Sequence, residues 1–326
     1  MRVKRLGGLE PVLRQIGQAI IVVVGSTLFL SLLLRLLPVG LEEIYAGGFD
    51  EASRAARLKE LRLDKDPITF YLLWLRDFMT GNFGPIVSPG GGTTPVADKV
   101  ASALPISLLL MLYVQVVALV ISVPLGIYTA YRSGKRSDKV ISYGLFTASS
   151  IPNFVFGLLL AVLFGVTLAW LPPLGYVAPG ENLVEHIRTM ILPVAALAIP
   201  LIATYTRLLR ADVIATLRED YVTMAVSKGL SNKRILFSHV LRPSSVTLFT
   251  SFALNMGALM GGTLVIEQLF TIPGLGSEIG IAIFSRQFFA LQSYVAILAV
   301  GFVVFNTLAD IAVKYVDPRT RERRRA

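Results

Sequence analysis

The chain has 326 residues and a net charge of +10, with 54% hydrophobic and only 16% charged residues. Soluble domains carry about 25% charged and 45–50% apolar residues, so these figures argue against a soluble globular protein, and the distribution of the apolar residues decides it. Cysteine is absent, which excludes disulfides and thiolate metal sites and leaves the redox compartment undefined.

In chain order, residues 1–15 carry the basic cluster Arg2-Val3-Lys4-Arg5 and precede the charge-free run Ile16–Leu34. That run is too long for the 7–15-residue core of a signal peptide, and Leu36-Leu37-Pro38-Val39 offers no small-x-small cleavage site. The expectation is a retained first transmembrane helix over residues 16–37. Residues 38–103 form a long polar segment. In it Asp50 can cap a short helix running to Leu61, and Asp66-Pro67 places an N-cap before a first-turn proline. Ile68, Tyr71, Leu72, Leu75, Phe78 and Met79 fall on one face of the helix that follows, which Gly81 can end. This is an amphipathic helix lying on the membrane surface or packed on the bundle, either bracing it or touching substrate. Ser88-Pro89-Gly90-Gly91-Gly92 reads as a flexible turn with no sign of a phosphate cradle.

Residues 104–316 hold the remaining spans. Leu104–Tyr131 contains no charge, and further apolar stretches cover Val140–Pro173, Thr189–Tyr205, Ser244–Ile266 and Leu291–Ala309. About 20 apolar residues rising 1.5 Å each cross a hydrocarbon layer of roughly 30 Å, so the fold is an all-α integral membrane protein of about six spans. Core helices of a soluble bundle are shorter and interrupted by a polar face. Ile151-Pro152-Asn153 predicts a kink in the third span, which shapes a cavity or pivot or is ordinary packing.

Basic clusters before the first span, at Arg132–Lys139, from Arg207 to Arg242 and at Arg319–Arg325 alternate with Lys/Arg-poor connections. Such alternation is expected when all the clusters face the cytoplasm, with both termini inside and an even number of spans. This placement points to a bilayer partner and away from nucleic acid. Residues 38–103 are then extracytoplasmic, and 317–326 form a cytoplasmic basic tail.

The cytoplasmic stretch 207–243 exceeds the 2–8 residues of a simple bundle connection. Asp220 is a plausible N-cap, Tyr221–Lys228 makes about two turns, and Gly229 is a suitable left-handed stop. Ser231 can cap a second helix carrying Lys233, Arg234, Ile235, Leu236 and Phe237. The element either docks a partner or merely orients the flanking spans.

Here the sequence resembles a known family. Asp220-Tyr221-Val222-Thr223-Met224-Ala225-Val226-Ser227-Lys228-Gly229-Leu230-Ser231, followed by His239-Val240-Leu241-Arg242, resembles the cytoplasmic loop of dipeptide/oligopeptide-type ABC importer permeases. Thr223, Met224 and Ala225 stand where the general pattern has Glu-Ala-Ala, and Gly229 keeps its glycine. Gly81-Asn82-Phe83-Gly84 is similar to the family's Gly-Asp-Leu-Gly element, with Asn for Asp. Ile151-Pro152-Asn153-Phe154 with Gly157, then Gly261-Gly262, Glu267, Phe270 and Pro273-Gly274-Leu275-Gly276, and finally Asp317-Pro318-Arg319 match in the same order. The long segment after the first helix resembles the B-type member of the permease pair.

The resemblance implies a type I importer architecture in the cell (inner) membrane, multi-pass. It implies as partners a second homologous permease, two ATPase subunits and an extracytoplasmic solute-binding protein. Asp220, Tyr221, Thr223, Ala225, Lys228, Gly229, Leu230 and His239 would then couple to the ATPase, with Tyr221–Gly229 as the coupling helix. Glu267, Phe270, Pro273, Gly274 and Gly276 would form an outer gate or contact the binding protein, or make only a tight turn. For Lys228 the alternative role is local stabilisation at a helix C-terminus, and for His239 a polar boundary residue or a pH sensor.

The chain itself is expected to be no enzyme and to bind no metal or cofactor; ATP and Mg belong on the ATPase subunits. No Gly-x-x-x-x-Gly-Lys-Ser/Thr occurs, Gly134-Lys135 lacks the preceding glycine, and no zincin helix or serine elbow is found. The solute is expected to be a di- or oligopeptide, with a nickel chelate or an oligosaccharide as alternatives; substrate-contacting residues are not assignable. A secondary transporter would place ionisable groups near the midplane, whereas Arg35, Glu267 and Asp310 lie toward span ends.

Overall fold

The computed structural model describes residues 9–36, 41–46, 50–87 and 92–316. The first basic cluster, Ser88–Gly91, Asp317-Pro318-Arg319 and the basic tail lie outside the described residues. Among the described residues three helices are long and apolar enough to cross a membrane: α5 (Val96–Tyr131), α8 (Leu183–Thr216) and the stretch Phe288–Ile311 of α15 (Phe288–Val316). Two broken pairs raise the number to five. They are α6 (Arg136–Ser149) with Asn153–Thr167, bent by 101°, and α12 (Val246–Gly262) with α13 (Leu264–Phe270), bent by 53°. In α1 (Leu9–Arg35) the apolar run is Ile20–Arg35. Among the described residues, three unbroken helices and two broken pairs thus account for up to five of the six expected spans, and the apolar run of α1 is shorter than a span.

The chain divides into two compact units, one formed by residues up to Ile106 with Pro273–Val303, the other by Ser107–Ile272 with residues from Val304 onward. The first unit holds α1, α2 (Leu41–Ala46), α3 (Glu51–Glu60), α4 (Pro67–Met79), a hairpin of β1 (Pro85–Val87) and β2 (Thr93–Pro95), and α14 (Leu275–Phe284). Local rules hold well here. Asp50 accepts a hydrogen bond from Ser53 N and Asp66 one from Thr69 N, each starting its helix as expected. The buried face of α4 differs from expectation. Phe70, Tyr71 and Trp74 are buried, whereas Ile68, Leu72 and Met79 are exposed.

Tertiary partners decide that rotation. The Tyr71 hydroxyl donates to Val24 O at 3.1 Å and lies 2.9 Å from Thr27 Oγ1, and Trp74 Nε1 donates to Ser293 Oγ at 3.1 Å. Leu41, Tyr45, Leu61, Leu63, Phe70 and Phe289 form the adjoining core. Each buried Leu or Phe contributes about 1.5–3 kcal/mol. The Tyr45 hydroxyl donates to Arg286 O and accepts from Phe288 N, and burial pushes its pKa up to about 12. Gln287 donates to Val87 O at 2.6 Å and accepts from Val87 N at 2.9 Å, holding β1. Asn82 Oδ1 accepts from Gly84 N, a bond that an aspartate would make equally well, so Asn in place of Asp preserves this turn.

The second unit is built around α8, which packs against α6, α7 (Asn153–Leu160), α12 and α13. Its 34 residues are about 51 Å long at 1.5 Å each. Burial along α8 includes Leu192, Ala196, Leu197, Tyr205 and Leu209, so apolar packing, rather than its two internal prolines, sets its course. The expected kink at Pro152 is a full break. Pro152 sits at the N-cap of α7 in extended geometry (ψ 139°), and Ile151 precedes it outside either helix. A proline disfavours helical geometry in the residue before it, which ends α6 rather than bending it. Within α7, Gly157 allows a close approach to α13, where an added Cβ would lie 3.1 Å from Leu269 and 3.2 Å from Phe270.

Candidate functional site

The expected cytoplasmic loop begins later than residue 207, because α8 continues to Thr216. What projects is α9 (Asp220–Ser227), a reversal at Gly229, and α10 (Asn232–Ile235), which runs through a wide turn at Leu236–Val240 into α11 (Leu241–Ser244). Its two ends are tied together at the base, where the buried Ser244 hydroxyl donates to Thr216 Oγ1 at 2.9 Å.

Asp220 is not the cap. Glu219 takes the N-cap position in extended geometry without a side-chain cap bond, and Asp220 lies in the first turn, where an anion suits the helix dipole. The C-terminus follows the sequence reading closely. Gly229 adopts φ +74°, its N–H bonds to Val226 O at 2.9 Å, and Leu230 N–H reaches back to Ala225 O at 3.3 Å. This pair of bonds is the Schellman arrangement, which satisfies carbonyls that a helix end otherwise leaves free. Ser231 Oγ then accepts from Arg234 N at 3.4 Å to start α10.

Burial sorts the expected contact residues into two sets. Ala225, with Val222, faces inward and anchors α9. Asp220, Tyr221, Thr223, Lys228 and Gly229 are exposed, and Leu230 is half-buried. His239 is half-buried, and its backbone carbonyl accepts from the Tyr221 hydroxyl at 3.5 Å. Tyr221, Met224 and Val226 on α9 and Phe237 beyond α10 are all more than 40% exposed, with Lys228, Lys233 and Arg234 around them also exposed. Large apolar side chains grouped on a polar projection suit a protein partner.

The expected outer loop from Glu267 to Gly276 is largely helical. Glu267 and Phe270 are buried within α13, and Gly276 is buried in α14. Glu267 is thus internal, not interfacial. Thr271 closes α13 in left-handed geometry (φ 57°), with Ile272 N–H bonded back to Glu267 O at 2.9 Å. Only Thr271–Gly274 remains between the helices, so Pro273 and Gly274 make the turn.

Two polar clusters in the second unit escaped the sequence reading. Asp138 of α6 binds Arg210 of α8 through two bonds, Nε to Oδ1 at 2.8 Å and Nη2 to Oδ2 at 2.7 Å, and also accepts from Gly134 N. The buried His186 approaches Tyr113 through Nε2 at 3.1 Å, while Nδ1 lies 2.7 Å from Val177 O, where it must carry the proton. Tyr176 meets the same imidazole edge-on. One of only two histidines in an apolar setting was the available signal. Among the described residues no group of three or more His, Asp or Glu side chains converges as a metal site.

Residues 122–322 match the family model of the binding-protein-dependent transport system inner membrane component. The chain is 36% identical to the oligopeptide transport system permease protein AppB of Bacillus subtilis, over 82% of this chain and 85% of that one. It is 29% identical to a probable peptide ABC transporter permease of Sinorhizobium fredii, over 95% of this chain and 98% of that one. It is 33% identical to the metal-staphylopine import system permease protein CntB of Staphylococcus aureus, over 79% of each.

Proposed function

Because the chain belongs to the family of inner membrane components of binding-protein-dependent transport systems, we propose that it forms half of the membrane path of a peptide importer driven by ATP hydrolysed on separate subunits. The family consists of membrane permeases rather than enzymes, and this chain is a multi-pass membrane protein. The observation that carries the reading is the projection α9–Gly229–α10, a rigid capped lever with an exposed apolar face, on a chain similar over most of its length to peptide permeases.

In this reading residues 217–243 lie in the cytoplasm with both termini, following the basic clusters, and residues 38–103 lie outside. Tyr221, Met224 and Val226 enter a groove on an ATPase subunit, Ala225 fixes the helix from beneath, and Lys228, Lys233 and Arg234 steer the approach. The tie from Ser244 to Thr216 passes a displacement of α9 to the end of α8. ATP and Mg stay on the two ATPase subunits. A second homologous permease completes the path, and a solute-binding protein delivers its cargo near Pro273-Gly274; Glu267 and Phe270 are buried in α13 and Gly276 in α14. The likeness to the metal-staphylopine permease supports a metal chelate as the second substrate class.

The test is reconstitution with the partner permease, ATPases and binding protein, followed by ATP-dependent uptake of labelled di- to pentapeptides. Gly229→Pro removes the N–H bonded to Val226 O and demands φ near −65° in place of +74°. Loss of uptake in this variant with membrane insertion intact supports the coupled importer. ATPase activity without peptide uptake moves the substrate to the second class, and uptake that needs no ATPase refutes the reading.

A further inference from the structure

Between α6 and α8, within the second unit, lies a groove of about 430 Å³ that the docking projection does not use. Its volume falls within the roughly 300–1,000 Å³ of small-ligand sites. Its lining is mostly apolar, and Ser142, Ser149, Thr204, Thr206, Arg207 and Arg210 are the polar residues along it. Ionisable and polar side chains on membrane helices face a bundle interior or a water-filled cavity.

The two arginines differ in their electrostatic state. Arg210 is neutralised by its two hydrogen bonds to Asp138. Arg207, one turn earlier, is exposed, and among the described residues no carboxylate pairs with it. Beside it the Thr206 hydroxyl is 3% exposed and has no hydrogen-bond partner among the described residues. A buried donor without an acceptor is costly, and the next residue along the same groove carries an unpaired guanidinium suited to an anion. Tyr143 and Phe146, both more than 60% exposed, line the same groove.

We propose that this groove is a solute subsite in which Arg207 receives the terminal carboxylate of a peptide. Thr206 donates a second hydrogen bond, and the rings of Tyr143 and Phe146 flank the solute. The guanidinium fork matches a carboxylate in two parallel bonds. This assignment rests on the peptide-importer reading and adds to it the end of the peptide that the permease recognises.

The complete transporter is reconstituted in liposomes, and ATP-driven uptake of one labelled peptide is measured as free acid and as C-terminal amide. Wild type, Arg207→Gln and Arg207→Lys are compared with the same binding protein, so that discrimination by that protein cancels. In Arg207→Gln the acid-to-amide ratio falls by about tenfold, the scale of one charge-assisted bond. Arg207→Lys retains part of the ratio. A ratio unchanged by Arg207→Gln overturns the subsite and leaves the importer reading intact. Equal slowing of acid and amide, varying with anionic lipid content, makes Arg207 a headgroup anchor and also overturns it. Uptake of neither peptide by the wild type overturns the peptide reading and the subsite with it.

Discussion

The Asp138–Arg210 pair gives the sharpest test of how α6 is held to α8. Asp138 is 5% exposed and Arg210 is 29% exposed, with both carboxylate oxygens engaged at 2.7 and 2.8 Å. Breaking a fully buried pair from one side costs about 3–5 kcal/mol, because a charge is left unpaired. Exposed pairs are worth about 0.2–1 kcal/mol. The partial exposure of Arg210 places each single variant, Asp138→Asn or Arg210→Met, near 2–3 kcal/mol by interpolation between these limits. The double variant leaves neither charge behind, so it is expected to be less destabilised than the sum by about 2 kcal/mol. Denaturant unfolding of the purified protein in detergent, completed as a double-mutant cycle, measures that coupling. Additive singles, within about 0.5 kcal/mol, refute the claim that the charges act as one unit.

Two further outcomes test the first unit. Burial works to raise the Asp77 carboxyl, but the Arg62 guanidinium at 2.6 Å, helped by Arg76, holds it below the ordinary 3.8. A depressed carboxylate contributes stability that is full above the unfolded value and lost as pH falls through the folded one. Hydrogen exchange in α4 is therefore expected to accelerate below about pH 3.8, and Asp77→Asn removes that acid dependence; an identical acid response in the variant contradicts the assignment. Trp74→Phe deletes the indole donor to Ser293 Oγ and is expected to cost about 1 kcal/mol in denaturant unfolding. Ser293→Ala in the same background should then add little beyond the loss of its bond to Phe83 O.

The local chemistry was legible in the sequence, and the long-range chemistry was not. Asp50, Asp66, Ser231 and Gly229 act on neighbours within a few residues, so helix-end rules located them. Asp220 was displaced by Glu219, a poorer cap that makes no side-chain cap bond, so the local rule favoured the wrong position. The inward face of α4 was misread because Phe70 and Trp74 are selected by Phe289 and Ser293, more than two hundred positions away. Separation in sequence likewise hid the couplings of Asp138 to Arg210 and of Tyr113 to His186, whose partners are 72 and 73 positions apart. Hydropathy located the third and fifth spans as single runs and was blind to their breaks, because an apolar average does not register the direction of a chain.

The amide of Gln287 lends β1 a wider significance than its three residues suggest. A side chain that both donates to and accepts from one backbone residue is a peptide unit in miniature, and it occupies the outer edge of the hairpin at Val87. The next strand of the sheet has in effect been supplied from within, shortened to a single unit. An open edge of this kind would otherwise invite an incoming extended segment to pair with it. At Val87 that invitation is closed, so an extended polypeptide meeting this edge finds no backbone there to zip onto.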